Sequence, residues 1–139
     1  MSELQTSPEM LAEIQAYDGR VIGPQLSWDP VNGPMIRHWC EALLDDNPVY
    51  TDATIAKANG FNNIVAPPTM MQVWTMKGIT ETVPKGSSEE DPFEVLSVLE
   101  RAGYTGVVAV DCQQSYERYL EPGDCLKHIC TVDDISEEK

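Results

Sequence analysis

The stretch Ala66-Pro67-Pro68-Thr69-Met70-Met71-Gln72-Val73-Trp74 limits what this chain can fold into more than any other. Proline fixes φ and has no N–H, so Pro67 and Pro68 suit the start of a helix and no position further in. From there to Gly78, the side chains of Met70, Met71, Val73, Trp74 and Met76 cover nearly the whole circumference. A helix apolar all round has to be buried on most sides. The rest of the 139 residues must therefore wrap around it, and a hydrophobic content of 42% is enough for a core without disulfides or metal. One domain over 1–139 is the expectation.

Upstream, the polar turn Asp45-Asp46-Asn47-Pro48 stands between two helices. The first opens at Pro34, with Ile36, Trp39, Cys40, Leu43 and Leu44 spaced i, i+3, i+4, i+7, i+8 as a core-facing stripe. The second runs from about Asp52 to Ala58 and ends at Asn59-Gly60. Nearer the start, Ser7-Pro8 caps a helix with Met10, Leu11, Ile14 and Tyr17 on one face, stopped by Gly19. Arg20–Trp28 reads as a strand, and residues 29–33 as a loop.

Beyond the central helix, the composition of Thr80–Glu90 predicts a mobile surface loop. Asp91-Pro92 caps a helix carrying Phe93, Val95, Leu96, Val98 and Leu99 that stops at Gly103. From Gly106 the period changes to 2: Val108, Val110, Cys112 and Tyr116 share one face, with Asp111, Gln113, Ser115 and Glu117 on the other. Glu121-Pro122-Gly123-Asp124 suits a type II turn, so strands at 106–119 and 124–132 form a hairpin. The tail from Asp133 to Lys139 is too charged for the core. Helices segregated from a curled antiparallel sheet make the expected class α+β.

The balance of 9 basic against 23 acidic residues gives a net charge of -14, which argues against nucleic acid as a partner. No run reaches the roughly 20 apolar residues of a membrane span, and the acidic start lacks signal-peptide order, so the expected location is cytoplasmic. Cys40, Cys112, Cys125 and Cys130 match neither zinc nor redox spacings and are expected to be buried, reduced thiols. His38 and His128 are isolated, so neither a metal nor another cofactor is expected.

Leu44-Asp45-Asp46-Asn47-Pro48-Val49-Tyr50, with Gly60-Phe61 and Ile64-Val65-Ala66-Pro67-Pro68-Thr69, resembles the MaoC-like hydratase and dehydratase family of hot-dog folds over residues 19–132. Within it, the likeness is to the MaoC-type subunit of two-component enoyl-CoA hydratases of actinobacterial steroid side-chain degradation. The three strands are fewer than a complete hot-dog sheet holds, so the sheet is expected to be incomplete at the C-terminal end or its edge covered by another subunit.

Active members carry Asp-x-Asn-Pro-x-His, whose Asp and His the resemblance assigns to water activation and proton transfer. Asp45, Asn47 and Pro48 match; the His falls on Tyr50. A phenol with a reference pKa near ~10 is a poor base at neutral pH, whereas imidazole near ~6.5 is well matched. An ungapped match also places Pro67-Pro68 where active relatives have His-Gly, whose Gly amide is expected to hold the thioester oxygen. Proline cannot donate there, and one such donor is worth roughly 3 to 4 kcal/mol of barrier.

With base and donor both missing, the expectation is a non-catalytic, substrate-accommodating subunit of a heteromeric enoyl-CoA hydratase acting on a bulky, steroid-like 2-enoyl-CoA and inactive alone. Its partner is a hot-dog subunit supplying Asp and His. No catalytic residue is assigned with Tyr50 in place of His, and Tyr50, Thr69, Met70, Met71 and Trp74 are the candidate acyl contacts. Two alternatives stay open: the substrate-holding subunit of a 3-hydroxyacyl thioester dehydratase, and a non-enzymatic acyl-thioester-binding domain. Each candidate also has a plain structural reading, Asp45 and Asn47 as turn formers, Tyr50 and Trp74 as core.

Overall fold

In chain order the elements are α1 (Pro8–Gln15), β1 (Val21–Leu26), α2 (Gly33–Leu43), a 3-10 turn (Pro48–Tyr50), α3 (Ala53–Ala58), a 3-10 helix (Pro68–Thr75), α4 (Glu94–Arg101) and β2 (Lys127–Thr131). They come from a computed structural model that describes residues 7–80 and 82–136. The polar start up to Thr6, Glu81 of the expected loop and the last three residues of the charged tail lie outside the described residues.

Side-chain caps open the first three α-helices, and the Asp91 cap expected for the fourth does not form. The Ser7 hydroxyl accepts from Met10 N, Asn32 Oδ1 from Met35 N, and Asp52 Oδ1 from Thr54 N and Ile55 N, each satisfying first-turn donors that the helix cannot. Asp91 Oδ1 accepts from Phe93 N, so Asp91 closes a turn and α4 itself begins one residue later than Phe93.

Chain contacts divide the molecule into two compact units. One comprises Met1–Pro24, Ser87–Gln113 and His128–Lys139. Its core is Ile14, Tyr17 and Val98, with Val95, Leu99 and Ile135 packed on it. Leu11, placed on the same face by the sequence, is exposed instead. Ile135 corrects the expectation for the tail, since one apolar side chain among acidic neighbours reaches this core. Arg101 pairs with Glu13 at 2.6 Å and Arg20 with Glu90 at 2.7 Å, the Arg20 guanidinium also lying 5.1 Å from the Tyr17 ring centroid.

The other unit, Gln25–Gly86 with Gln114–Lys127, holds Val31, Ile36, Cys40, Tyr50, Val65, Ala66, Met70 and Trp74 as its core. Here α2 ends earlier than its stripe: Leu44 takes a left-handed conformation (φ 55°), which turns the chain away and leaves Leu43 and Leu44 in solvent. The central helix also differs from expectation. It is a 3-10 helix from Pro68 to Thr75, with Met70 and Trp74 inside and Met71 and Met76 exposed. The two buried side chains stand four residues apart and Met71 three before Trp74, so burial here follows what each side chain meets and not the three-residue period of the 3-10 helix.

The sheet has two strands among the described residues, β1 and β2, paired antiparallel. Gly19 N donates to Val132 O, Val132 N to Arg20 O and Ser27 N to Leu126 O. The turn at Glu121–Asp124 forms as read, with Gly123 at φ 104° and Asp124 N donating to Glu121 O. The hairpin does not. Residues 124–132 pair with the first strand, and Gly106–Glu117 forms no strand, leaving Val107, Val108 and Val110 largely exposed. Alternation states which face could be buried, and a strand forms only where a neighbour accepts its ladder.

The thiols are free, but burial holds for Cys40 alone: Cys112 and Cys125 are exposed and Cys130 half-buried. With no strand at 112 and an outer position at 125, nothing covers those side chains. No described helix is long and apolar enough to cross a membrane.

Candidate functional site

The polar turn is built backbone first. Leu44 ends α2, Asp45 N donates to Cys40 O, and Asp45 Oδ1 accepts from Asn47 N at 3.1 Å. Asn47 Oδ1 in turn accepts from Val49 N at 3.3 Å and caps the 3-10 turn Pro48–Tyr50. Both side chains therefore shape the turn, as Asp and Asn do wherever an acceptor must meet an N–H two residues on. The Asp45 carboxylate is exposed.

Tyr50 points the other way. Its ring is 9% exposed and belongs to the core with Met70 and Trp74. Burial pushes its phenol up, Tyr119 and Asp45 add to the effect, and a side-chain hydrogen bond with Asn47 opposes it. At neutral pH Tyr50 keeps its proton and is a neutral donor. Burial also raises the Cys40 thiol, with Asp45 reinforcing it.

The second half of the site is joined to the first by Val65 N, which donates to Val49 O at 3.4 Å. Ala66 N then donates to Leu120 O at 2.8 Å in an isolated antiparallel bridge. Pro67 is buried and Pro68 opens the 3-10 helix, so the first N–H of that helix belongs to Thr69. Thr69 is exposed, Met70 fully buried, Met71 36% exposed and Trp74 5% exposed. The five candidate acyl contacts thus separate into an inner set, Tyr50, Met70 and Trp74, and an outer pair, Thr69 and Met71.

Tyr119 and Leu120 belong to this neighbourhood, and the sequence did not single them out. Tyr119 meets Phe61 edge to face with ring centroids 5.1 Å apart, and Leu120 packs on the core. No local pattern marks them, because their partners are about sixty residues away in sequence. Just beyond, Arg118 Nη1 donates to Asp124 Oδ2 at 2.6 Å, and Glu121 N donates to the same oxygen. The Arg118 guanidinium and then that N–H hold the Asp124 carboxyl below its usual range, which pins the turn. Among the described residues no group of three or more His, Cys, Asp or Glu side chains could hold a metal ion.

The sequence profile of a family described as FAS1-like, dehydratase domain region, matches residues 19–139. The chain is 46% identical over 127 residues to a probable enoyl-CoA hydratase alpha subunit of Thermomonospora curvata, covering 91% of this chain and 40% of that protein. It is 46% identical over 113 residues to the 3-oxo-4,17-pregnadiene-20-carboxyl-CoA hydratase alpha subunit of Mycobacterium tuberculosis, covering 81% and 35%. A UPF0336 protein of Streptomyces avermitilis is 34% identical, covering 87% of this chain and 72% of its own length. The chain therefore spans about two fifths or less of the two hydratase subunits. A solved structure, the ChsH1-ChsH2 complex of Mycobacterium tuberculosis, superposes with a TM-score of 0.77 at 41% identity, covering all of this chain and 78% of the matched one. The fold is α+β of the hot-dog class, as the resemblance implied, with a short C-terminal strand.

Proposed function

The chain belongs to the FAS1-like, dehydratase domain region family, and from that premise we propose that it is the non-catalytic, substrate-accommodating part of a heteromeric enoyl-CoA hydratase. Water adds to Cβ of a bulky, steroid-like 2-enoyl-CoA and a proton to Cα. The base and the oxyanion donors for that addition come from a second hot-dog subunit, which supplies Asp and His. This chain accommodates the acyl body, in the cytoplasm.

The observation that carries the reading is the state of Tyr50. At the place of the family's base stands a buried phenol that holds its proton more firmly than a free one. The exposed Asp45 gives one oxygen to the turn, and Pro67-Pro68 offers no N–H to a developing oxyanion. The heteromeric part is supported by the superposed complex and by the hydratase alpha subunits the chain is similar to. A 3-hydroxyacyl thioester dehydratase is the second reading, favoured by the family's description; it runs the same addition in reverse.

The purified chain should show no enoyl-CoA hydration above background, and activity should appear with the hot-dog subunit that co-purifies from the native host. Asp45→Ala should leave the rate of that complex unchanged. A robust rate from the chain by itself that disappears in Asp45→Ala would make Asp45 a working base and sink the proposal.

A further inference from the structure

The segment Gly106–Gln113 follows α4 in the unit that also holds Met1–Pro24 and His128–Lys139. All eight of its residues are exposed, and Val107, Val108 and Val110 stand 68%, 80% and 93% open to solvent. Contiguous aliphatic surface of this kind is uncommon on a soluble domain unless another molecule covers it. The backbone is in the same state. Tyr104 N donates to Leu99 O, and from there to Gln113 no residue joins a backbone–backbone hydrogen bond among the described residues. The segment has no proline and no left-handed residue, so its covalent structure does not oppose an extended ladder.

Free N–H and C=O groups running along a β-branched stretch are matched by one kind of ligand. Another extended strand satisfies the main chain and, on alternate positions, packs against Val108 and Val110. Charge restricts where that strand comes from. The cationic side chains of this unit, among the described residues, are Arg20 and Arg101, and both pair with its own acids, Glu90 and Glu13. Asp111 lies in the segment itself, and a second copy, also at -14, would set acid against acid. The occupant that fits is a sheet edge of a different polypeptide, with aliphatic residues facing Val108 and Val110 and a Lys or Arg across from Asp111.

We propose that Gly106–Gln113 is a docking strand, which adds to an open, basic sheet edge of the partner subunit. This rests on the heteromeric reading above.

The test follows amide exchange by NMR in the 15N-labelled chain, isolated and in complex with its co-purified partner. In the isolated chain the amides of Val107–Gln113 should exchange freely. In the complex every second one should slow roughly a hundredfold, since a strand on one edge bonds only the N–H groups that point to that side. Ala109→Pro, at an exposed position, should weaken the complex roughly tenfold or more and leave the urea midpoint of the isolated chain unchanged. Asp111→Lys should also weaken it, by opposing a basic edge. A complex that forms with these amides still exchanging freely, or with all of them slowed alike, overturns the inference and leaves the heteromeric reading standing. Protection in the isolated chain overturns it too: at doubled mass the occupant is a second copy, and at single mass the segment pairs within its own fold. A fall in the urea midpoint with Ala109→Pro has the same meaning as the latter. If no partner co-purifies, both proposals fall.

Discussion

Tyr50 concentrates the residue-scale question, because a phenol in place of imidazole changes both what the site can do and how the fold responds to pH. Its folded pKa is raised by burial. The stabilising contribution is therefore fully present below the unfolded value near ~10 and is lost as pH rises through the folded value. Tyr50→Phe removes the ionisable group and its contact with Asn47. It should cost about 1 kcal/mol at neutral pH. The difference from wild type should shrink as pH rises above the unfolded value, as urea titrations at neutral and alkaline pH would show. A difference that grows with alkalinity would mean the phenolate is the favoured form in the fold, and the argument against Tyr50 as a base would fail. Asp124 works in the opposite direction. Its depressed carboxyl contributes stability above its ordinary value and loses it as pH falls through the folded one, loosening the Glu121–Asp124 turn in acid.

At the scale of elements, the 3-10 helix Pro68–Thr75 and the unpaired segment Gly106–Glu117 depart most from what their sequences imply. The helix has an inside and an outside despite its uniform apolarity. Met70→Ala should therefore cost about 2 to 5 kcal/mol and Met71→Ala about 0.5 or less, measured as shifts in the urea midpoint of the isolated chain. Equal losses would show that Met71 is core. For the other segment, the alternation of Val108, Val110 and Cys112 was real, yet the segment lacks the neighbour that turns alternation into a strand. The Ser7 cap was legible because it depends on residues three apart, whereas Asn32, read as loop, caps α2 and Asp91, read as a helix cap, closes a turn ahead of α4.

For the whole molecule, charge bears on how the proposed CoA thioester would be divided between this chain and the proposed partner. The net charge is -14, and all four arginines pair with acids of the same chain: Arg20 with Glu90, Arg37 with Glu41, Arg101 with Glu13 and Arg118 with Asp124. Exposed pairs add little stability, but they occupy the groups best suited to phosphate. The isolated chain should show no calorimetric binding of 3′-phospho-ADP, whereas the complex should bind it with an affinity that falls as salt rises. Tight binding to this chain alone would assign the nucleotide to the wrong subunit in the proposal.

The sequence by itself determined the local chemistry: the Asp45–Asn47 turn, the missing N–H at Pro67-Pro68, the Ser7 cap, the Gly123 turn, and the motif words that carry the hot-dog resemblance. Those depend on covalent structure and on contacts within a few residues. Only the tertiary structure decided which strand 124–132 pairs with, which side of the central helix is buried, and that Tyr119 and Leu120 join the site. Each of these is settled by partners far away along the chain, and a period of 2 or 3 residues states only that a face exists, never what it meets.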